Sequence, residues 1–331
     1  MVRLACWFLL VAPVLASPEM VDIPGGRLSM GDHSGEGSPD ERPVHRVDVG
    51  AFRMDRTEIR NADMCQVLQW AWGEGLLLAG PASVSNAEGR VQELLDLDDW
   101  NSEIVFTPGQ GFSAVAGRES FPCVEVTWYG AMAYARYRSV MEGLEPAVEL
   151  GGWTCDFSRP GYRLPTEAEW EWAARGGLVG QFFPWRSAGG VNRDHLAGHQ
   201  ANYWGSGDPW EMAEVLKTSP AGYFNGLQQP AGVDMANGYG LYDMAGNVYE
   251  WCGDYYDEGW YVNAAAVEAD TRGPAMGYAR VVRGGSWLSG NREDAQGDAA
   301  RGSGFYLRCA NRSLSDPANA THNRGFRCVR P

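Results

Sequence analysis

The sequence contains no GxGxxG, no P-loop and no GxSxG, and no nucleophile–base pair stands out along it. Dinucleotide binding, phosphate cradling by a glycine loop and the serine-hydrolase elbow therefore have no motif to carry them. Histidine is scarce, at 5 residues, and no CxxC or Cys/His cluster occurs, so a structural zinc site has no ligand set. His195 and His199 have helical spacing in DHLAGHQ, but a glycine interrupts that turn and no third ligand accompanies them. They read as surface residues. Basic residues are in deficit, 27 against 42 acidic, and the net charge of −15 argues against nucleic acid and anionic membrane as partners. Beyond the first residues no apolar run is long enough to span a bilayer. No low-complexity tract or linker divides the chain, which reads as one domain over 17–331.

What is present in excess is glycine and tryptophan, 43 and 14 residues. That pairing implies long ordered loops pinned by ring packing rather than a helix bundle. Residues 1–16, MVRLACWFLLVAPVLA, combine a basic start, a short apolar run and a small-residue end, the pattern of a secretory signal peptide cleaved before Ser17. Export to a periplasmic or extracellular compartment follows. Setting Cys6 aside leaves Cys65, Cys123, Cys155, Cys252, Cys309 and Cys328, an even number that suggests disulfides in an exported chain, with about 15 complete pairings open.

Regular structure can be placed at a few points. Val47 and Val49 alternate with polar neighbours as in a strand. Met64, Val67, Leu68 and Ala71 fall at helical spacing behind Asn61 as N-cap. Residues 76–118 read as an insertion of hairpins, and a second helix starts near Thr127. The clearest helix start is YRLPTEAEWEWAARGG, where Thr166 and Glu169 form a capping box and Gly176-Gly177 end the run. Glu167, Glu169 and Glu171 sit where carboxylates serve the helix dipole, which is the reading preferred over acid–base catalysis. Arg283, Arg308, Arg312, Arg324 and Arg327 crowd the C-terminal region, as carboxylate clamps or as cation–π partners of the aromatics.

The chain is organised around NGYGLYDMAGNVYEWCGD, residues 237–254. Asp243 and Glu250 stand at either end of MAGNVY, whose glycine lets the backbone turn inward. Carboxylates mixed with backbone carbonyls on such a loop suit a hard cation such as Ca²⁺. A glycine turn between aromatic-rich strands, with solvated carboxylates, is the other reading of the same residues.

RLPTEAEWEWAARGG, GYGLYDMAGNVYEW, RVVRGGSW and NRGFRCVR occur in that order. Together they resemble the formylglycine-generating enzyme family, also called the sulfatase-modifying-factor domain, from VDIPGGRLSMGD to Arg330. The resemblance implies an α+β fold, a variant of the C-type-lectin-like fold with little regular structure. It also implies calcium on Asp243, Gly246, Val248 and Glu250, the middle two through backbone carbonyls. A second calcium site would begin at Asn202 and Tyr203 and continue into SGDPWEMAEV.

For chemistry the same resemblance points the other way. The family's enzyme holds copper(I) on two cysteines after GGS and uses oxygen to convert a sulfatase cysteine to formylglycine. Here Ser289 and Gly304 occupy those two positions, so neither soft thiolate is offered and copper is not expected. Cys309 and Cys328 resemble the family's structural disulfide cysteines, whose usual helical partners are replaced by Ala135 and Ala174. No catalytic residue is assigned. Tyr249, Ser286, Ser289 and Arg308 match positions around the family's active site and would line a groove. The expected function is a calcium-stabilised binding module for a peptide, protein or glycan, without standard formylglycine generation. The alternative is a metal- and oxygen-dependent oxidase on the same scaffold, either like the pyoverdine-maturation relatives or sulfatase-activating with other ligands.

Overall fold

The computed structural model describes residues 17–185, 196, 198–207, 209–210, 218–229, 231–289 and 304–331. Residues 1–16, with the expected signal peptide and Cys6, lie outside the described residues, as does His195. The architecture is α+β, with three α-helices and small sheets among the described residues. This is the low-regularity, C-type-lectin-like arrangement expected from the sequence.

Helix α1 spans Asn61–Gly73 and α2 spans Trp128–Met141. Their apolar faces share one core cluster with Leu94, Leu95 and Ile104 from the hairpin insertion. The expected Asn61 cap is displaced by one residue. Arg60 is the N-cap, and its backbone N–H donates to Asp63 Oδ2 at 3.2 Å. The Asn61 amide is used elsewhere, donating to Glu103 Oε2 at 2.6 Å and to the Arg118 carbonyl at 2.9 Å, which ties the insertion to the helix. Thr127 caps α2 as expected, accepting from the Gly130 N–H at 2.9 Å.

Helix α3, Glu167–Arg175, carries the capping box read from the sequence. Thr166 Oγ1 accepts from the Glu169 N–H at 3.1 Å, and Glu169 Oε2 accepts from the Thr166 N–H at 2.8 Å. Gly176 ends the helix in the left-handed region, with φ +54°. The last carbonyls are not left bare. Asn237 Nδ2 donates to the Ala173 and Ala174 carbonyls at 2.7 and 3.1 Å. The first residue of the central loop thus docks that loop onto α3.

The central loop feeds the strand Tyr249–Tyr255 of a four-stranded sheet, ordered Ser313–Ser315, Arg280–Arg283, Tyr249–Tyr255, Arg324–Gly325, the last pair parallel. A three-stranded sheet brings Met20–Ile23, Phe52–Asp55 and Val329–Arg330 together, so segments from the two ends of the described chain share one ladder.

All but one of the 27 basic residues are arginine, and the interior shows why. Arg138 meets Asp55, Arg283 meets Glu171, Arg308 meets Glu41, Arg312 meets Glu167 and Arg327 meets Glu250, each within 2.9 Å and with little or no solvent exposure. A rigid guanidinium fork satisfies a buried carboxylate better than a compact ammonium can. The α3 glutamates are corrected by the same observation. Glu167 and Glu171 are buried partners of Arg312 and Arg283 rather than solvated dipole charges.

The disulfide expectation is not met. Cys65, Cys123, Cys155, Cys252 and Cys328 carry free thiols, so Cys328 does not bridge to Cys309. All except half-buried Cys155 are packed inside as small apolar residues, and Cys309 and Cys328 belong to different core clusters. No helix among the described residues is long and apolar enough to cross a membrane.

Candidate functional site

Two places carry the residues singled out by the sequence. The first is the inward turn of the central loop, where Asp243, Gly246 and Asn247 take φ of +57°, +82° and +62°. At Gly246 a side chain would run into the Asn202 carbonyl, so only glycine fits there. The Asn247 N–H donates to that same carbonyl at 2.8 Å, and the Gly246 N–H donates to Gly284 O at 2.9 Å. Asn202 is thereby part of the central loop's own packing. Tyr203 lies in a small apolar cluster with Ala245, Phe183 and Leu307. Asp208 and residues 211–217, where the remaining ligands of a second calcium site would fall, lie outside the described residues.

Glu250 is fully engaged. Its Oε2 accepts from Trp170 Nε1 at 2.8 Å and from Arg327 Nε at 2.8 Å, and its Oε1 accepts from Arg327 Nη2 at 2.6 Å. Arg327 also donates to the carbonyls of Asp55, Arg56 and Tyr242. The guanidinium is therefore used up on Glu250 and backbone. Val248 is buried beside Gly325.

Asp243 has a neighbour the sequence did not suggest. Glu58, from RTEIRN before α1, is buried beside it within hydrogen-bonding reach, with Oε1 accepting from Asn247 Nδ2 at 3.0 Å and Oε2 meeting no N–H or hydroxyl donor. Burial raises the Glu58 pKa well above the ordinary carboxylate range, and the nearby Asp243 charge raises it further. Asp243 is also raised, by burial, against the Gly222 N–H that donates to it. Two carboxyls held together with an unpartnered oxygen need either a shared proton or a cation between them. Hard oxygen donors on a turn of this kind match calcium. Among the described residues no group of three or more His, Cys, Asp or Glu side chains is arranged around a common metal position, so Glu58 and Asp243 would supply the side-chain charge and the backbone the rest.

The second place is the segment after the strand Arg280–Arg283. Ser286 and Ser289 are fully buried and close on each other. The Ser286 N–H donates to Ser289 Oγ at 2.9 Å, and the Ser289 N–H donates to Ser286 O at 2.9 Å. Ser286 Oγ accepts from the Leu288 N–H at 3.3 Å and from Asn323 Nδ2 at 3.4 Å. These hydroxyls hold a tight turn. Gly304 sits where an added Cβ would lie 3.2 Å from Leu196 Cδ2 and Phe183 Cζ. Residues 290–303, between Ser289 and Gly304, lie outside the described residues. Arg308 is turned to Glu41, bonding both its oxygens at 2.8 and 2.7 Å, and Tyr249 is buried in the α1–α2 core cluster. Ala135 and Ala174 are fully buried.

Neither Ser289 nor Gly304 offers a soft donor to cuprous copper. Serine oxygen is a hard ligand already occupied in the turn, and glycine has no side chain.

Sequence reasoning also missed Glu125 and His322, which lie against this segment. Trp287 packs on the His322 ring at 5.6 Å, and His322 Nδ1 lies 3.9 Å from Glu125 Oε1. Glu125 has φ +52°, and burial followed by the Asp99 and Asp96 charges pushes its carboxyl up to about 8. Neither Glu58 nor Glu125 carries a local signal in sequence. Each becomes visible only when distant segments are brought together.

A family model described as "Sulfatase-modifying factor enzyme 1-like domain" matches residues 10–331. The formylglycine-generating enzyme of Streptomyces coelicolor is 32% identical over 326 residues, covering 93% of this chain and 88% of that protein. The serine/threonine-protein kinase pkn1 of Chlamydia caviae is 31% identical over 97% of this chain, which spans only 39% of the kinase's length. Among solved structures, Treponema denticola variable protein 1 superposes with a TM-score of 0.62 at 26% identity, covering 94% of this chain and 95% of that one.

Proposed function

The chain belongs to the sulfatase-modifying factor enzyme 1-like family, and from that premise we propose that it is a non-catalytic member: an exported, calcium-stabilised domain that binds a peptide, protein or glycan. The observation that carries this reading is the pair Ser289 and Gly304. One is a hydroxyl consumed by the turn it closes, the other has no side chain, and neither can bind a soft cuprous ion. The Glu58–Asp243 pair supports calcium, which would neutralise two adjacent buried carboxylates and pin the central loop to the segment before α1. Residues 1–16 support export by their pattern.

The test is metal analysis of the purified chain after exposure to calcium, copper and iron, paired with an oxidation assay on a sulfatase peptide. Bound calcium, with no retained copper and no peptide oxidation, is the expected result. Stoichiometric copper or iron together with peptide oxidation overturns the non-catalytic reading, and failure to retain calcium overturns the calcium reading alone.

A further inference from the structure

A cavity of about 370 Å³ opens between α2, the short hairpin Val148–Glu149/Thr154–Cys155 and the strand Arg280–Arg283. None of Ser286, Ser289, Gly304 or Asp243 lines it. Its walls are aromatic, formed by Trp128, Trp153, Phe157 and Tyr255, and two of its lining residues are Arg272 and Arg280. A volume of this size is that of a small-molecule site.

Arg280 is held in an unusual way. The Trp128 ring lies 3.7 Å and the Tyr255 ring 3.4 Å from its guanidinium carbon, and the residue is only 7% exposed. Nη1 donates to the Gly253 carbonyl at 2.7 Å, while Nε has no acceptor. No carboxylate pairs with Arg280 or Arg272 among the described residues, whereas Arg163, also on the wall, is taken by Glu169. Arg272 lies 3.9 Å over the Phe157 ring and is exposed at the mouth.

The one acidic residue on the wall does not cancel this charge near neutrality. Asp254 accepts from the Glu167 N–H at 2.9 Å, and burial, followed by the Glu167 and Glu169 charges, pushes its carboxyl up to about 8. With its faces covered by rings, Nη1 held by Gly253 and Nε buried, Arg280 offers a ligand its Nη2, and that donor together with the Arg272 guanidinium matches the two oxygens of a flat carboxylate. Aromatic walls around these donors favour a flat apolar body attached to the carboxylate.

We propose that this cavity is a second binding site, separate from the Ser286–Ser289 segment, for a small carboxylate carrying an aromatic or apolar body. The acid group meets Nη2 of Arg280 and the guanidinium of Arg272, and the body lies against Trp153 and the rim of Phe157. A free aromatic acid and the C-terminal residue of a peptide share this chemistry.

Titration calorimetry of the full chain at pH 6.5 with phenylacetate, N-acetylphenylalanine and N-acetylphenylalaninamide separates the cases. Both acids bind, and the amide binds at least about tenfold more weakly. Tighter binding of phenylacetate identifies a free acid as the source, and tighter binding of N-acetylphenylalanine identifies a peptide terminus. R272A, at an exposed position, weakens both acids about tenfold while leaving the thermal midpoint unchanged. R280Q abolishes binding, and where that variant does not fold, R272A decides. Equal binding of acid and amide, or full affinity in R272A, overturns the proposal.

Discussion

Arg327 grips Glu250 through two hydrogen bonds, Nη2 to Oε1 at 2.6 Å and Nε to Oε2 at 2.8 Å, with both side chains essentially out of water. The pair closes the central loop onto the segment NRGFRCVR. Removing one partner leaves a bare charge beside Glu58 and Asp243. R327M is therefore expected to cost about 3–5 kcal/mol, read from urea denaturation. The double variant E250M/R327M costs less than the sum of the single changes, because it leaves no orphaned charge. Additive losses would show that the pair is not coupled.

Glu58 and Asp243 make the calcium proposal separable from the ion pair. Calcium at about 100 times its dissociation constant should stabilise the protein by about 2.7 kcal/mol, and chelator should reverse the gain. E58Q and D243N each lose that response. An unaltered protein that melts at the same temperature with calcium and with chelator sinks the assignment and leaves a shared proton as what holds the two carboxyls.

Glu125 sets a pH dependence of definite sign. Its folded pKa, about 8, lies above that of an unfolded glutamate, so the folded chain holds a proton that the unfolded chain has released. The stabilisation is complete below about pH 4 and is lost as pH rises through about 8. E125Q should therefore remove a fall in unfolding free energy of up to about 1.4 kcal/mol per pH unit across that window. The groups facing Glu125 are Asp96, Asp99, Arg324 and His322, so D99N is expected to lower the upper edge of the window. A stability profile unchanged by E125Q refutes this account.

Copper chemistry should not return with one thiol. S289C gains a soft ligand but still faces Gly304, and peptide oxidation by that single variant contradicts the donor argument. G304C must push aside Phe183 and Leu196, which an added Cβ would meet at 3.2 Å, and is expected to lower stability by about 1–3 kcal/mol.

Much of the scaffold was legible because its signals are local. Thr166 and Glu169 lie three residues apart and close a capping box that needs nothing from the rest of the chain. Thr127, the hairpins of residues 76–118 and the strand containing Val47 and Val49 were readable for the same reason. The site was legible only in part. Asp243 and Gly246 announce a turn, but Glu58 comes from 185 positions earlier, by way of contacts that local sequence does not encode. The arginines were read as clamps or ring partners, and several are both. Arg312 holds Glu167 at 2.7 Å and lies 4.2 Å from the Tyr261 ring. The disulfide expectation failed because parity of cysteines says nothing about pairing: Cys65, Cys123 and Cys328 share one core cluster, yet their thiols stay free and pack as apolar residues.

The ladder joining Val329–Arg330 to Phe52–Asp55, together with the arginines at 308, 312 and 327, bears on how the protein is made. Glu41, Glu167 and Glu250 all leave the ribosome before the guanidinium that will neutralise them. A nascent chain short of residue 327 can assemble α1, α2 and the hairpins, yet it cannot bury the central loop without stranding Glu250. Completion of this fold therefore waits for residues 327–330 to emerge, and a product stalled or clipped before them is left open to proteolysis.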